Sequence, residues 1–232
     1  MRGELGRIAS RQRFLISREQ VLGLGRTDRF IEGQLAAGRW IRVHDGVYQV
    51  DSRPLEWESR LLAAVLASGR ASLVSHRSAF TLWDLDGIRT NLVELTVPIS
   101  NHPVPEGVLV HRTRRPMDGD EIAGIPVTTV ERTLLDCASL VPRIVIGKGL
   151  DSAIRRRLTT LDRVYDMVAA KGGRGVRGTR ALRWVLRERI HDTATGSGSE
   201  FELLYHMQMA FLPRPELQHS LFVESGRRVP DF

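Results

Sequence analysis

Lysine is almost missing from this chain, and cysteine nearly so. Of the 34 basic residues only Lys148 and Lys171 are lysine, and Cys137 is the one cysteine. A single thiol excludes a disulfide framework. Its place in the apolar run Thr133-Leu134-Leu135-Asp136-Cys137-Ala138 makes it a small core residue rather than a nucleophile or ligand. No stretch approaches the ~18 apolar residues of a membrane helix. The N-terminus carries Arg2, Glu4, Arg7, Arg11 and Arg13 where a secretory signal has an apolar block, so the expected location is the cytoplasm, with no membrane partner. Repeats and low-complexity tracts are lacking as well. The glycine-rich basic stretch from Lys171 to Gly178 has no Lys-Ser/Thr after it and no strand before it, which excludes a phosphate-binding loop of the nucleotide-hydrolase kind. It reads as a turn that touches phosphate at most.

What remains is an ordinary globular composition with a basic balance. Hydrophobic residues make up 42% and charged residues 26% of 232, enough for packed cores and too apolar for a disordered chain. The formal net charge is +7 and the sequence pI about 10.6. Such a surface steers association with polyanions and gains affinity from released counterions, so double-stranded DNA is the partner expected. Codon usage is the competing account of so much arginine.

Residues 1–52 carry the rhythm of a winged helix-turn-helix. Leu5, Ile8, Ala9, Phe14 and Leu15 suggest a helix running into a turn. Ser17 then caps a helix over 18–24, and Thr27 caps a third over 28–37 with Phe30, Ile31 and Leu35 inward. Residues 40–44 and 46–50 flank Asp45-Gly46, a two-residue hairpin signal. Arg26, Arg29 and Gln34 lie on or beside the third helix, and Arg39, Arg42 and His44 on the hairpin. Arginine holds phosphate or grips guanine and glutamine reads adenine, so these six are the candidate DNA-binding residues. Asp28, Glu32 and Asp45 lie among them and repel a phosphate backbone. A module that only packs against protein is the alternative.

Residues 53–190 read as a mixed central domain. Two helices are expected, one from Trp57 ending at Gly69 and one over 73–83 that carries His76, whose expected role is a cap or interdomain hydrogen bond. Strands are expected over 92–97, 108–112 and 125–127, with Arg112, Arg114 and Arg115 forming either a basic strip or a solvated edge. Thr128 and Glu131 form a capping box for a helix over 130–140, and Arg132 pairs with Asp136 inside it. Thr159 caps a helix over 161–170, and 179–190 is amphipathic. Residues 191–198 form a linker. Ser199 and Glu202 then cap a helix over 201–211, followed by a strand over 217–223, a turn at Ser225-Gly226 and a strand from Arg228 to Phe232.

Those residues carry two resemblances. The segments 16–21 and 38–48 resemble the N-terminal winged helix of AbiEi-type antitoxins, the DNA-binding halves of type IV toxin-antitoxin systems. Residues 75–87 and 124–136 resemble the domain that follows it in related bacterial proteins. Residues 199–232 are similar to the opening of a very-short-patch-repair-like endonuclease domain of the PD-(D/E)XK fold, with Ser199 and Glu202 heading a helix and Asp231 on a strand after Gly226-Arg227-Arg228-Val229. The second resemblance implies Mg²⁺ as cofactor, Asp231 as metal ligand, and Glu202 with Asp231 as an incomplete catalytic pair, because the later acidic strand is absent.

The expectation is an α+β protein: a winged helix over 1–52, a central domain over 53–190, a linker, and a truncated nuclease-like segment over 199–232. The expected function is a DNA-binding regulator of antitoxin type, with a cognate toxin or a second copy as further partner and no cofactor of its own. The alternative is a Mg²⁺-dependent endonuclease, inactive as it stands unless a partner supplies the missing strands.

Overall fold

The computed structural model describes residues 3–69, 71–101, 104–171 and 176–190, with the strand segments 221–223 and 226–228. It is a mixed α+β structure with small sheets, as helical and alternating segments in one sequence lead one to expect. The chain divides into two compact units. The first takes in the described residues up to Trp83 and Arg89–Thr129, and the second takes in Asp84–Ile88 and the described residues from Val130 onward. No helix among the described residues is long and apolar enough to cross a membrane.

The first unit opens with α1 (Glu4–Arg11). Arg13 and Phe14, at φ of 53° and 64°, then turn the chain into β1 (Leu15–Ser17), a strand where the sequence suggested only a turn. Ser17 and Gln20 close a reciprocal capping box on α2 (Arg18–Gly23). The Thr27 hydroxyl accepts from Phe30 N at 3.3 Å and starts α3 (Asp28–Ala36). Next come β2 (Ile41–His44) and β3 (Val47–Gln49), joined through Gly46, whose φ of 67° is the left-handed conformation a tight hairpin needs. The sheet order is β1-β3-β2, antiparallel throughout, with Leu15 opposite Gln49 and Arg42 opposite Tyr48.

Alternation along these strands sends their side chains to two different cores. Ile16 and Tyr48 pack with Ala9, Val21 and Ile31 from the three helices and with Trp40 just ahead of β2, whose ring meets Phe30 edge-on at 5.7 Å. Leu15 and Val47 join a larger cluster built on Leu61, Leu62, Val65, Leu95 and Val127. Residue 52 is therefore no break in the packing, because the small sheet is covered on both faces. This also explains why β1 escapes sequence reading: three successive buried residues show no period of two.

That larger cluster lies between α4 (Trp57–Ser68) and a five-stranded sheet. Its strands are β4 (Leu73–Val74), β5 (Glu94–Pro98), β6 (Leu109–Thr113), β7 (Gly119–Ile122) and β8 (Ile125–Thr128), in the order β6-β5-β4-β8-β7. The β5/β6 and β4/β8 pairs are parallel and the other two antiparallel. The helix expected over 73–83 is shorter, α5 (His76–Leu82). Leu73 and Val74 pair with Thr96 and Leu95, and His76 at φ 53° separates the strand from the helix. The polar Gly-Asp-Glu-Ile strand β7 gives no hydrophobic signal, since its role is to pair along β8 at the sheet edge.

The second unit is helical over its described core: α6 (Val130–Cys137), α7 (Arg143–Arg155), α8 (Leu161–Lys171) and α9 (Thr179–Ile190). Leu134, Leu135, Ile146, Leu150, Val164, Val168, Leu182 and Val185 are its buried apolar residues. Gly178 lies at φ 83°, and a Cβ there would overlap the Leu135 carbonyl oxygen, so only glycine lets α9 begin this close to α6. Arg132 Nε bonds Asp136 Oδ1 at 2.8 Å as its spacing implied. The capping of α8 differs from expectation. Thr160 Oγ1 accepts from Arg163 N, while the Thr159 hydroxyl donates to Glu131 Oε1 at 2.6 Å. Glu131 also receives Arg163 Nε at 3.1 Å. β9 (Leu221–Val223) pairs antiparallel with β10 (Gly226–Arg228), which includes Gly226 and Arg227 ahead of the expected start at Arg228. The expected linker over 191–198 and helix over 201–211 lie outside the described residues, as do residues 229–232.

Candidate functional site

Five of the six residues singled out for nucleic-acid contact are on or near the surface around α3 and the β2/β3 hairpin. Arg29 is exposed on the first turn of α3, where unpaired backbone N–H groups and the helix dipole already favour anions. Arg26, exposed just before that helix, sits with its guanidinium 5.2 Å from the centre of the Phe30 ring. Arg42 is exposed on β2, 3.5 Å from Asp45 and 5.9 Å from the Tyr48 ring centre, an ion pair loose and wet enough to exchange for phosphate at small cost. Arg39 and Gln34 are committed to each other: Arg39 Nε donates to Gln34 Oε1 at 2.8 Å. Reading an adenine through Gln34 would require releasing that amide oxygen.

His44 behaves differently. It is half-buried on β2, and that burial lowers its pKa, with Glu106 opposing the shift only in part. That shift favours the uncharged imidazole, which can still donate or accept a hydrogen bond.

The structure adds a residue that sequence reading left out. Arg18, at the start of α2, donates from Nε and Nη2 to the two carboxylate oxygens of Asp28 at 2.7 and 2.6 Å. The fork matches the carboxylate geometry and lowers the Asp28 pKa, first through the hydrogen bond and also through its charge. Asp28 heads α3, so its negative charge is compensated where it would otherwise oppose a phosphate. The signal in the sequence was weak, because a ten-residue separation across a turn is no helical spacing.

A second polar constellation lies in the five-stranded sheet. Glu94 on β5 is fully buried. Its carboxylate accepts from Arg77 N at 2.9 Å, Arg77 Nε at 3.0 Å and Arg77 Nη2 at 2.8 Å, with His111 Nε2 at 3.6 Å. Burial alone raises a carboxyl pKa, yet His111 and above all the close, charged Arg77 hold this one at about 2. Arg77 dominates, because the 3.6 Å between His111 Nε2 and the carboxylate is too long for a hydrogen bond. His76 stacks on His111 with ring centres 3.5 Å apart, and its Nδ1 lies 2.9 Å from Ser75 Oγ, which in turn receives Thr96 Oγ1 at 2.8 Å. Glu94 and Thr96 alternate with Val93, Leu95 and Val97 along the strand expected over 92–97. Both are buried, because β5 is covered on both sides. The network ties α5 to β5 and β6.

No group of three or more His, Cys, Asp or Glu residues able to hold a metal occurs among the described residues. Glu202 and Asp231, the expected catalytic pair with Asp231 as Mg²⁺ ligand, lie outside the described residues.

No protein-family model matches this chain, and no curated protein sequence does. Its fold is similar to that of the RV2827C protein from Mycobacterium tuberculosis, known as a crystal structure. The TM-score is 0.51 over 94% of this chain and 87% of that one, at 14% sequence identity. At that identity the likeness is one of fold alone.

Proposed function

We propose that the first unit presents a winged helix to double-stranded DNA and that the protein is a regulator of the AbiEi-antitoxin type. The observation that carries the reading is the element order α1-β1-α2-α3-β2-β3 with the strands side by side as β1-β3-β2, the arrangement in which α3 is the helix offered to a groove and the β2/β3 hairpin is the wing. The charges support it. Eight arginines face five carboxylates over residues 3–50. Arg26, Arg29, Arg39 and Arg42 are exposed on the proposed reading helix, beside it and on the wing, while Arg18 pairs with Asp28 at the head of that helix.

In this reading Arg29 approaches base edges or phosphate from the first turn of α3, Arg39 and Arg42 hold the flanking backbone, and Gln34 positions Arg39. His44, half-buried on the wing, contributes at most a neutral hydrogen bond. A cognate toxin or a second copy as further partner follows from the resemblance of residues 75–87 and 124–136 to the antitoxin family.

The test is selection from a randomised duplex library, followed by titration of the selected duplex. Wild type is expected to enrich one motif, and the Arg29→Ala/Arg39→Ala/Arg42→Ala variant to lose it while its far-ultraviolet circular dichroism stays unchanged. Recovery of no motif, or equal binding by both proteins, rejects the proposal.

A further inference from the structure

The five-stranded sheet of the first unit ends in β6 on one side and β7 on the other, and the two edges carry opposite charge. No carboxylate occurs from Gly107 to Met117, and Arg112, Arg114 and Arg115 are exposed along and just past the end of β6. No lysine or arginine occurs from Pro116 to Glu131, and Asp120 and Glu121 are exposed on β7. Arg112 is anchored where it stands, because its Nη1 donates to the Asn101 carbonyl at 2.6 Å, a neutral acceptor. Its partner across β5 is Val97, and that of Asp120 across β8 is Val127, both members of one buried cluster. Arg112 and Asp120 therefore lie on the same face of the sheet, at its opposite ends.

The backbone of both edges is open to a further strand. Leu109 N donates to Val93 O and Ile99 N to Thr113 O, each at 2.9 Å, so alternate residues of β6 bond β5 while Val110 and Arg112 turn their N–H and C=O groups outward. In the β7/β8 hairpin the two-residue turn at Ala123 and Gly124, both at positive φ, makes Ile122 and Ile125 a bonded pair, which leaves Gly119 and Glu121 facing outward. The strand pairings make β6 and β7 run in the same direction. Laid beside β6, the β7 of a second copy continues the sheet as a parallel strand. With Arg112 opposite Asp120 of that copy, the outward groups meet in about three hydrogen bonds and Thr113 comes opposite Glu121. Charge on an edge strand commonly serves to prevent sheet pairing. Here each edge repels its own kind, whereas the basic edge attracts the acidic one.

We infer that the protein associates with further copies of itself head to tail, the β6 edge of one copy pairing with the β7 edge of the next through their backbones and through Arg112 and Asp120. The contact is heterologous, so each copy keeps one edge of each kind and the assembly does not close at two. Exposed Leu109 on the same strand adds apolar surface to the contact. Copies joined in this way present α3 in the same sense, so if the first unit reads DNA they suit direct rather than inverted repeats. The association itself does not depend on that reading.

Sedimentation velocity of the full-length protein without DNA, at concentrations up to about 1 mM, tests the contact down to weak affinity. Wild type is expected to grow past a dimer as concentration rises and to fall back as salt is added. Arg112→Asp and Asp120→Arg, each checked by thermal melting, should each lower the association constant at least about tenfold. Mixed in equal amounts they should recover it, because the acidic β6 edge of the first then meets the basic β7 edge of the second. Glu121→Pro removes an outward N–H while leaving the bonds to β8, and should weaken association as well. A monomer at every concentration, association that stops at a dimer, full association in any of the three variants, or a mixture that recovers nothing overturns the inference. With no DNA present, none of these results bears on the winged helix.

Discussion

Arg18 and Asp28 close a two-pronged ion pair from the start of α2 to the start of α3, at 2.7 and 2.6 Å. Both side chains are about half exposed, at 51% and 54%, so the pair acts on charge presentation rather than on stability. Replacing Arg18 by Ala frees a carboxylate at the head of the proposed reading helix. Duplex affinity should fall on the order of threefold to tenfold, with the melting temperature moving by no more than about 2 °C. Adding Asp28→Ala should restore most of the affinity in the same titration. A large loss of melting temperature in the single variant would show that the pair holds the helices together instead.

Glu94 and Arg77 make the opposite kind of pair. Glu94 is fully buried and its carboxyl titrates at about 2, against 4.5 when unperturbed. A depressed folded pKa contributes stability above the unfolded value, and that contribution fades as pH falls from about 4.5 towards 2. The loss at the acid end is on the order of 2 to 3 kcal/mol. Urea unfolding at pH 7, 5, 4 and 3 should trace this decline. Glu94→Gln should cost about 3 kcal/mol at pH 7, because it leaves the Arg77 charge without its counterion. The variant should also flatten the acid dependence. An unchanged pH profile in Glu94→Gln would remove Glu94 as the source of acid sensitivity.

Gly178 is the position where a single methyl group should matter most. It combines a φ of 83° with a close approach to the Leu135 carbonyl, so Gly178→Ala adds backbone strain and a clash with a buried helix end. The expected cost is more than about 2 kcal/mol by denaturant unfolding. A variant as stable as wild type would mean that α9 shifts away from α6 without penalty.

How far the sequence could be read follows from which physical signal each element carries. Ser17 with Gln20, and Thr27 before Phe30, are local capping patterns, and the structure forms both. The Asp45-Gly46 hairpin was legible for the same reason, since a left-handed residue is needed at one place and glycine stands there. The strand β1 was not legible, because Leu15 and Ile16 serve two separate cores and so look like the continuation of a helix face. Nor was β4, whose two residues precede a histidine at positive φ. At the candidate site, residue type and position pointed to Arg26, Arg29, Gln34, Arg39, Arg42 and His44. The quieting of Asp28 by Arg18, the Gln34–Arg39 commitment and the half-burial of His44 depend on tertiary contacts that no spacing encodes. Glu94 was not singled out because alternation with apolar neighbours does not tell a solvent face from the second buried face of a strand covered on both sides.

The central claim is that exposed arginines around α3 and the wing hold duplex DNA through its phosphates, and its most direct test is the salt dependence of wild-type binding to one duplex. The account predicts a linear decline of log K with log salt, with a slope of about −3 or steeper, roughly 0.9 for each phosphate neutralised. It further predicts a shallower slope for Arg29→Ala/Arg39→Ala/Arg42→Ala. Absent binding at low salt, or a slope near zero that the variant leaves unchanged, would contradict it.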